Sequence, residues 1–152
     1  METSMRFNTL AAATTLLLCT LPAVSQARDT ALYLPFDQVV TEAISTGKID
    51  GSVKFYLAGN TPRGKVTVVS PGAVTNKKTN AFNKSDEQAC SWALQSALIT
   101  MHEAAKKVGA NAVTNIASFY KRNERKDPKT YECHAGAVIA GVALKGDLAK
   151  VN

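Results

Sequence analysis

The sequence predicts an α+β fold: a mostly antiparallel three- to four-stranded sheet packed under one long helix, with a short N-terminal helix. One observation is the helical spacing of apolar residues between positions 86 and 108. The second is a set of shorter stretches on both sides of that helix, which alternate between apolar and polar residues or are rich in β-branched ones. The resulting order is helix, strand, strand, long helix, strand, strand, which is typical of a sheet with helices packed on it.

The long helix is predicted over residues 86–108. Ser85 is placed to cap the first turn, Gln88 completes a Ser-x-x-Gln capping box, and Gly109 follows the last turn as a stop. The stripe that would face the sheet contains six apolar residues, namely Cys90, Leu94, Ala97, Met101, Ala104 and Val108.

Shorter elements are predicted before the long helix. A short helix is expected over residues 37–45, and strands are expected over 52–58 and 65–70. The polar stretch 75–84 is interpreted as an exposed loop, part of which could extend a hairpin.

Two strands are predicted after the long helix, over residues 112–120 and 130–144, and the basic turn 121–129 joins them. Small residues in the second of these strands leave room for another backbone to approach closely. The long helix is the element expected to lie there.

Residues 1–27 have the pattern of a secretory signal peptide. Arg6 precedes a short apolar stretch, and small residues stand at Ser25 and Ala27, after which cleavage is expected. The apolar stretch is shorter than the ~20 residues that span a bilayer. An amphipathic first helix and lipid attachment at Cys19 are the alternatives.

Cleavage would leave a single α+β domain over residues 28–152, periplasmic or secreted and with no transmembrane segment. Its two cysteines, Cys90 and Cys133, are then an even pair in an oxidising compartment, which predicts one disulfide. In the chain-entropy description such a bridge would stabilise the fold by about 4 kcal/mol. Free thiols with redox chemistry are the alternative, although the sequence has no Cys-x-x-Cys pair.

The composition excludes wholesale disorder, since 45% of residues are hydrophobic, and the formal net charge of +6 favours anionic partners. The candidate anion-binding residues are Lys77, Lys78, Lys121, Arg122, Arg125, Lys126 and Lys129. A solvated basic turn is the alternative interpretation of this charge. Nucleic acid is a less favoured partner, because only Tyr120 and Tyr131 flank the basic run and two aromatic residues are too few for a stacking platform.

Two further constellations could carry chemistry. A soft-metal site could form from Cys90, Cys133 and His134, but the pleat of a strand would separate the last two and the spacing of a zinc finger is absent. Residues 59–65 match the first part of a phosphate-binding loop, yet Val66 stands where Ser or Thr is required and a strand follows. No catalytic residues and no cofactor are therefore predicted.

Three segments of the chain form a recognisable set: 76–90 (NKKTNAFNKSDEQAC), 109–113 (GANAV) and 131–137 (YECHAGA). They resemble an uncharacterised family of exported proteobacterial proteins whose members often carry the label excinuclease ATPase subunit. More distantly, the sequence is similar to the YbjQ-like group and to the periplasmic domain of the Rcs stress-sensor lipoprotein. The latter resemblance implies a small α+β unit in which a disulfide, here between Cys90 and Cys133, ties the helix to a strand.

These observations predict an exported, non-enzymatic domain that binds an envelope protein or an anionic ligand. A metal- or polyanion-binding module is the alternative. A nucleotide-dependent DNA-repair protein of the excinuclease type is the least favoured, because the nucleotide motif at residues 59–65 is incomplete.

Overall fold

The structure, a computed structural model, describes residues 27–152. The predicted signal peptide therefore lies outside the described residues, except for Ala27. The described elements are, in order, β1 (Thr30–Pro35), α1 (Phe36–Ser45), β2 (Lys54–Leu57), β3 (Val66–Asn80), α2 (Asp86–Lys107), β4 (Ala112–Ser118), a short 3-10 turn (Tyr120–Arg122), β5 (Thr130–Ala135) and β6 (Ile139–Val151).

The six strands form one curled, mixed sheet in which β6 is the central strand. One edge of β6 pairs with β3, and the other pairs with β4 and, further towards its start, with β5. Strand β1 continues the sheet beyond β5, and β2 continues it beyond β4. All these pairs are antiparallel except β2–β4, which is parallel.

The prediction of a three- to four-stranded, mostly antiparallel sheet is wrong, and the first reason is β1. Its six residues, TALYLP, end in proline, and no strand was predicted there. Proline is tolerated because β1 is an edge strand that pairs only with β5, so a missing N–H on the free side costs no ladder hydrogen bond.

The second reason is the length of β3, which runs for 15 residues and includes 75–80, a segment predicted to be a loop. A polar segment can be a strand here because β3 pairs with β6 alone and so leaves its other edge without a strand partner among the described residues. Pro71 is accommodated at a register shift between Ser70 and Ala73.

The third reason is the stretch 130–144, which was predicted as one strand and is two. The chain reverses at residues 136–138, where the N–H of Gly136 donates to the carbonyl of Ile139 at 2.8 Å. Strands β5 and β6 then pair as antiparallel neighbours. The turn was not predicted because its residues are small or apolar, whereas turns are usually recognised in a sequence by polar residues.

The long helix is present, and α2 begins at the predicted residue and ends one residue early. The side chain of Ser85 accepts a hydrogen bond from the N–H of Gln88 at 3.1 Å, as the capping box requires. The helix packs on β3, β6, β5 and β4, and the buried core cluster lies entirely between Phe36 and Leu148. Within residues 27–152, no helix combines the length and the apolar character needed to cross a membrane.

The predicted disulfide is confirmed. Cys90, the fifth residue of α2, is bonded to Cys133 in β5, with their Cα atoms 5.8 Å apart. Both cysteines are fully buried. The bridge therefore fixes the start of the helix to the sheet from the inside of the core.

Candidate functional site

A cavity of about 290 Å³ lies on the face of the sheet that points away from α2. Lys78, Gly141 and His134 occupy matching register positions on β3, β6 and β5, so they form a row across three adjacent strands. Gly141 has no side chain and leaves a gap between Lys78 and His134. This space, which Asp29, Tyr120 and Ile139 also line, is called the His134 cavity below.

The disulfide explains why His134 faces this cavity. Successive side chains of a strand point to opposite faces, so burial of Cys133 against α2 directs its neighbour His134 outward. Glu132, two residues before His134, lies on the same face for the same reason.

Hydrogen bonds hold the His134 ring in one orientation. Its Nδ1 lies 2.8 Å from Oδ1 of Asp29, and its Nε2 lies 2.6 Å from Oε1 of Glu132. Tyr120 stacks on the ring with centroids 3.3 Å apart, and its hydroxyl donates to Oδ2 of Asp29 at 2.9 Å. The bonds from His134, and then from Tyr120, lower the pKa of the Asp29 carboxyl. Each ring nitrogen of His134 therefore has a carboxylate neighbour.

Two of the predicted cations lie beside this ring pair. Lys78 lines the His134 cavity, and the ammonium group of Lys121 lies 5.1 Å from the centroid of the Tyr120 ring. Neither lysine belongs to an ion pair formed within residues 27–152. The charge of Lys78 is therefore available to a ligand, whereas the charge of Lys121 also helps to lower the pKa of Asp29.

The other candidate anion-binding residues are placed elsewhere. Lys77 is the neighbour of Lys78 on β3 and so points to the opposite face, towards the edge of α2. Arg125 pairs with Asp127 at 3.0 Å and lies over the ring of Tyr33, 4.1 Å from its centroid. Three more, which are exposed in or next to the loop between the 3-10 turn and β5, are Arg122, Lys126 and Lys129.

The structure does not assemble the alternative metal site. The sulfur atoms of Cys90 and Cys133 are bonded to each other, and His134 points to the other face of the sheet. Among residues 27–152 there is no cluster of three or more His, Cys, Asp or Glu side chains placed to hold a metal ion.

A second polar cluster lies at the C-terminal end of α2, beside an open cavity of about 650 Å³. The Nε2 atom of His102 lies 2.7 Å from Oδ1 of Asp50 and 3.4 Å from Oγ of Ser52, and Lys106 donates to Oδ2 of Asp50 at 3.0 Å. Hydrogen bonds to the Asp50 carboxyl hold its pKa far below its usual value, and the bond from Ser52 has the largest effect. A hydrolytic triad requires serine and aspartate on different ring nitrogens, whereas both approach Nε2 here.

Comparison of the chain with protein-family models, with curated proteins and with solved structures finds no match.

The two carboxylates that hold His134 were not predicted from the sequence. The spacing of Glu132 and His134 within a predicted strand was a usable signal, because residues two apart share a face. Asp29 had no such signal, since its position depends on the pairing of β1 with β5.

Proposed function

We propose that the chain is an exported, non-enzymatic domain that binds an envelope protein or an anionic ligand at the His134 cavity. The observation that carries this proposal is Lys78, a cation without an ion-pair partner in the described chain, at the wall of a cavity whose other polar groups are already fixed. A site that is rigid before binding loses less entropy when the ligand arrives. An acidic group of the ligand would contact Lys78.

Export is supported by three features. Disulfides persist in oxidising compartments, and Cys90–Cys133 is a buried disulfide. Residues 1–27 have the sequence pattern of a leader, and the resemblance to exported proteobacterial proteins favours the same compartment.

The non-enzymatic part of the proposal is supported by how the two histidines are used. His134 has a carboxylate at each ring nitrogen, so it does not present a free nitrogen to a nucleophile. His102 shares a single nitrogen between Asp50 and Ser52. In both clusters the histidine holds neighbouring elements together.

Site-specific photo-crosslinking in intact cells tests the proposal. A photoreactive residue at position 76, which lies on the same face of β3 as Lys78, should capture a partner or ligand, whereas the same residue at position 77 should not, because it lies on the opposite face. The variant Lys78→Glu should abolish capture from position 76, because it reverses the charge that would contact an acidic group of the ligand. Equal capture from both positions would contradict the proposed site.

A further inference from the structure

One end of the sheet carries three large apolar side chains that are mostly in solvent. Phe82, Val138 and Ile139 are 61%, 58% and 53% exposed. They are neighbours, because Asn80 pairs with Ile139 and the N–H of Ala81 donates to the carbonyl of Val138 at 2.7 Å. These three residues are called the apolar tip.

The described chain begins at this tip. Ala27 and Arg28 line a cavity of about 320 Å³ together with residues 136–139. The guanidinium of Arg28 donates to both carboxylate oxygens of Asp86, at 2.7 and 2.9 Å, and to the carbonyl of Gly136 at 2.9 Å. Arg28 therefore ties Asp86, at the start of α2, to the turn 136–138 at this tip.

The charge around the tip is positive. Lys84 lies over the half-exposed ring of Trp92, 5.0 Å from its centroid, and Lys78 lines the same cavity as Ile139. The nearby carboxylates are already engaged, Asp86 by Arg28 and Asp29 by His134 and Tyr120. An exposed apolar cluster with cations and a tryptophan at its rim is suited to the headgroup region of a bilayer that contains anionic lipids.

We propose that the apolar tip docks the domain on an anionic lipid surface. Phe82, Val138 and Ile139 enter the headgroup layer, and Lys78 and Lys84 face the lipid phosphates. A second copy of the chain is the less suitable occupant, because a tip-to-tip contact would bring the lysines of two chains together, each chain with a net charge of +6. This docking goes beyond the ligand site at the His134 cavity, although Lys78 and Ile139 line that cavity as well.

Vesicle co-sedimentation tests the proposal, with residues 28–152 and the disulfide intact. That span contains the whole buried core, and circular dichroism verifies that each variant is folded. We expect sedimentation with vesicles of phosphatidylcholine and phosphatidylglycerol at 7:3, and at least tenfold weaker binding to phosphatidylcholine alone. Replacing all three tip residues by serine should weaken binding at least tenfold, and Lys84→Glu should also weaken it.

The matched control replaces three other exposed apolar residues, Val68, Val69 and Val74 of β3, by serine. This variant removes a similar apolar surface away from the tip and should bind like the unaltered domain. Absence of sedimentation, equal binding to both vesicle types, or equal loss in the control variant would overturn the proposal. If sedimentation velocity showed a dimer that the three serine substitutions dissociate, the tip would be a contact with a second copy of the chain instead.

Discussion

The two ends of α2 are fixed to the rest of the molecule by different kinds of interaction. At the N-terminal end, Ser85 caps the helix, Arg28 pairs with Asp86, and the Cys90–Cys133 disulfide joins the fifth residue of the helix to β5. The covalent bond makes this end independent of small changes in pH. It depends instead on the redox state of the surroundings.

The C-terminal end has no covalent link, and its polar side-chain contacts centre on one carboxylate. Asp50 accepts hydrogen bonds from Ser52 and Lys106 and contacts the ring of His102, which is buried in α2. All of these interactions are weakened when Asp50 is protonated, because they favour its ionised form. This end is therefore sensitive to acid.

The two ends of α2 also differ in which proposed contact surfaces lie near them. The covalent end lies directly behind His134 and next to the apolar tip, so the two proposed contact surfaces sit on the part of the fold that is held most firmly. The acid-sensitive end is remote from both.

The largest effect is expected from breaking the disulfide. Its 43-residue separation predicts a loss of about 4 kcal/mol in the free energy of unfolding on reduction, in the chain-entropy description. Urea unfolding with and without reductant, followed by Trp92 fluorescence, measures this loss. A Cys90→Ala/Cys133→Ala double variant is the control and should be insensitive to reductant. If reductant left the urea midpoint of the unaltered protein unchanged, the disulfide would not be what stabilises the N-terminal end of α2.

A smaller effect is expected from Asp50→Asn, and it should depend on pH. Because the pKa of Asp50 is lowered in the folded protein, its contribution to stability is present above the unfolded value of 3.8 and is lost as pH falls below that value. The urea midpoint of the variant should be lower than that of the unaltered protein at pH 5, and should change less between pH 5 and pH 3.

Asp37→Asn is the matched control for that experiment. Asp37 is an exposed carboxylate in the first turn of α1 and belongs to no ion pair formed within residues 27–152. If the two variants had the same pH profile, the C-terminal end of α2 would not be held by the charge of Asp50.

The smallest effect is expected from Ser85→Ala, which removes the cap at the covalent end. Loss of an N-cap side chain costs about 1 kcal/mol. Urea unfolding should show this loss, whereas Ser96→Ala, which removes a hydroxyl that only donates to the carbonyl of Trp92 within the helix, should leave the midpoint nearly unchanged. A loss as large as that on reduction would mean that the cap, and not the disulfide, fixes this end.

The sequence predicted α2 to within one residue, because its cap and its apolar stripe are local signals. It did not predict β1 or the second half of β3, since these segments become strands through distant partners, Thr30 with Ala135 and Asn80 with Ile139. The same dependence on distant partners limited the prediction of the site. His134 and the basic residues were identified from the sequence as candidates, but Asp29 was not, because its role depends on the pairing of β1 with β5.

Strand β6 also determines when the domain can assemble. It is the shared neighbour of β3, β4 and β5, and its register extends to the pairing of Val66 with Val151, 85 positions apart. Contacts of such long sequence separation form slowly and late. A chain that crosses a membrane from its N-terminus would therefore lack its sheet until residues 139–151 had emerged. For a chain that is threaded through a membrane, this topology would delay folding until the last strand had emerged.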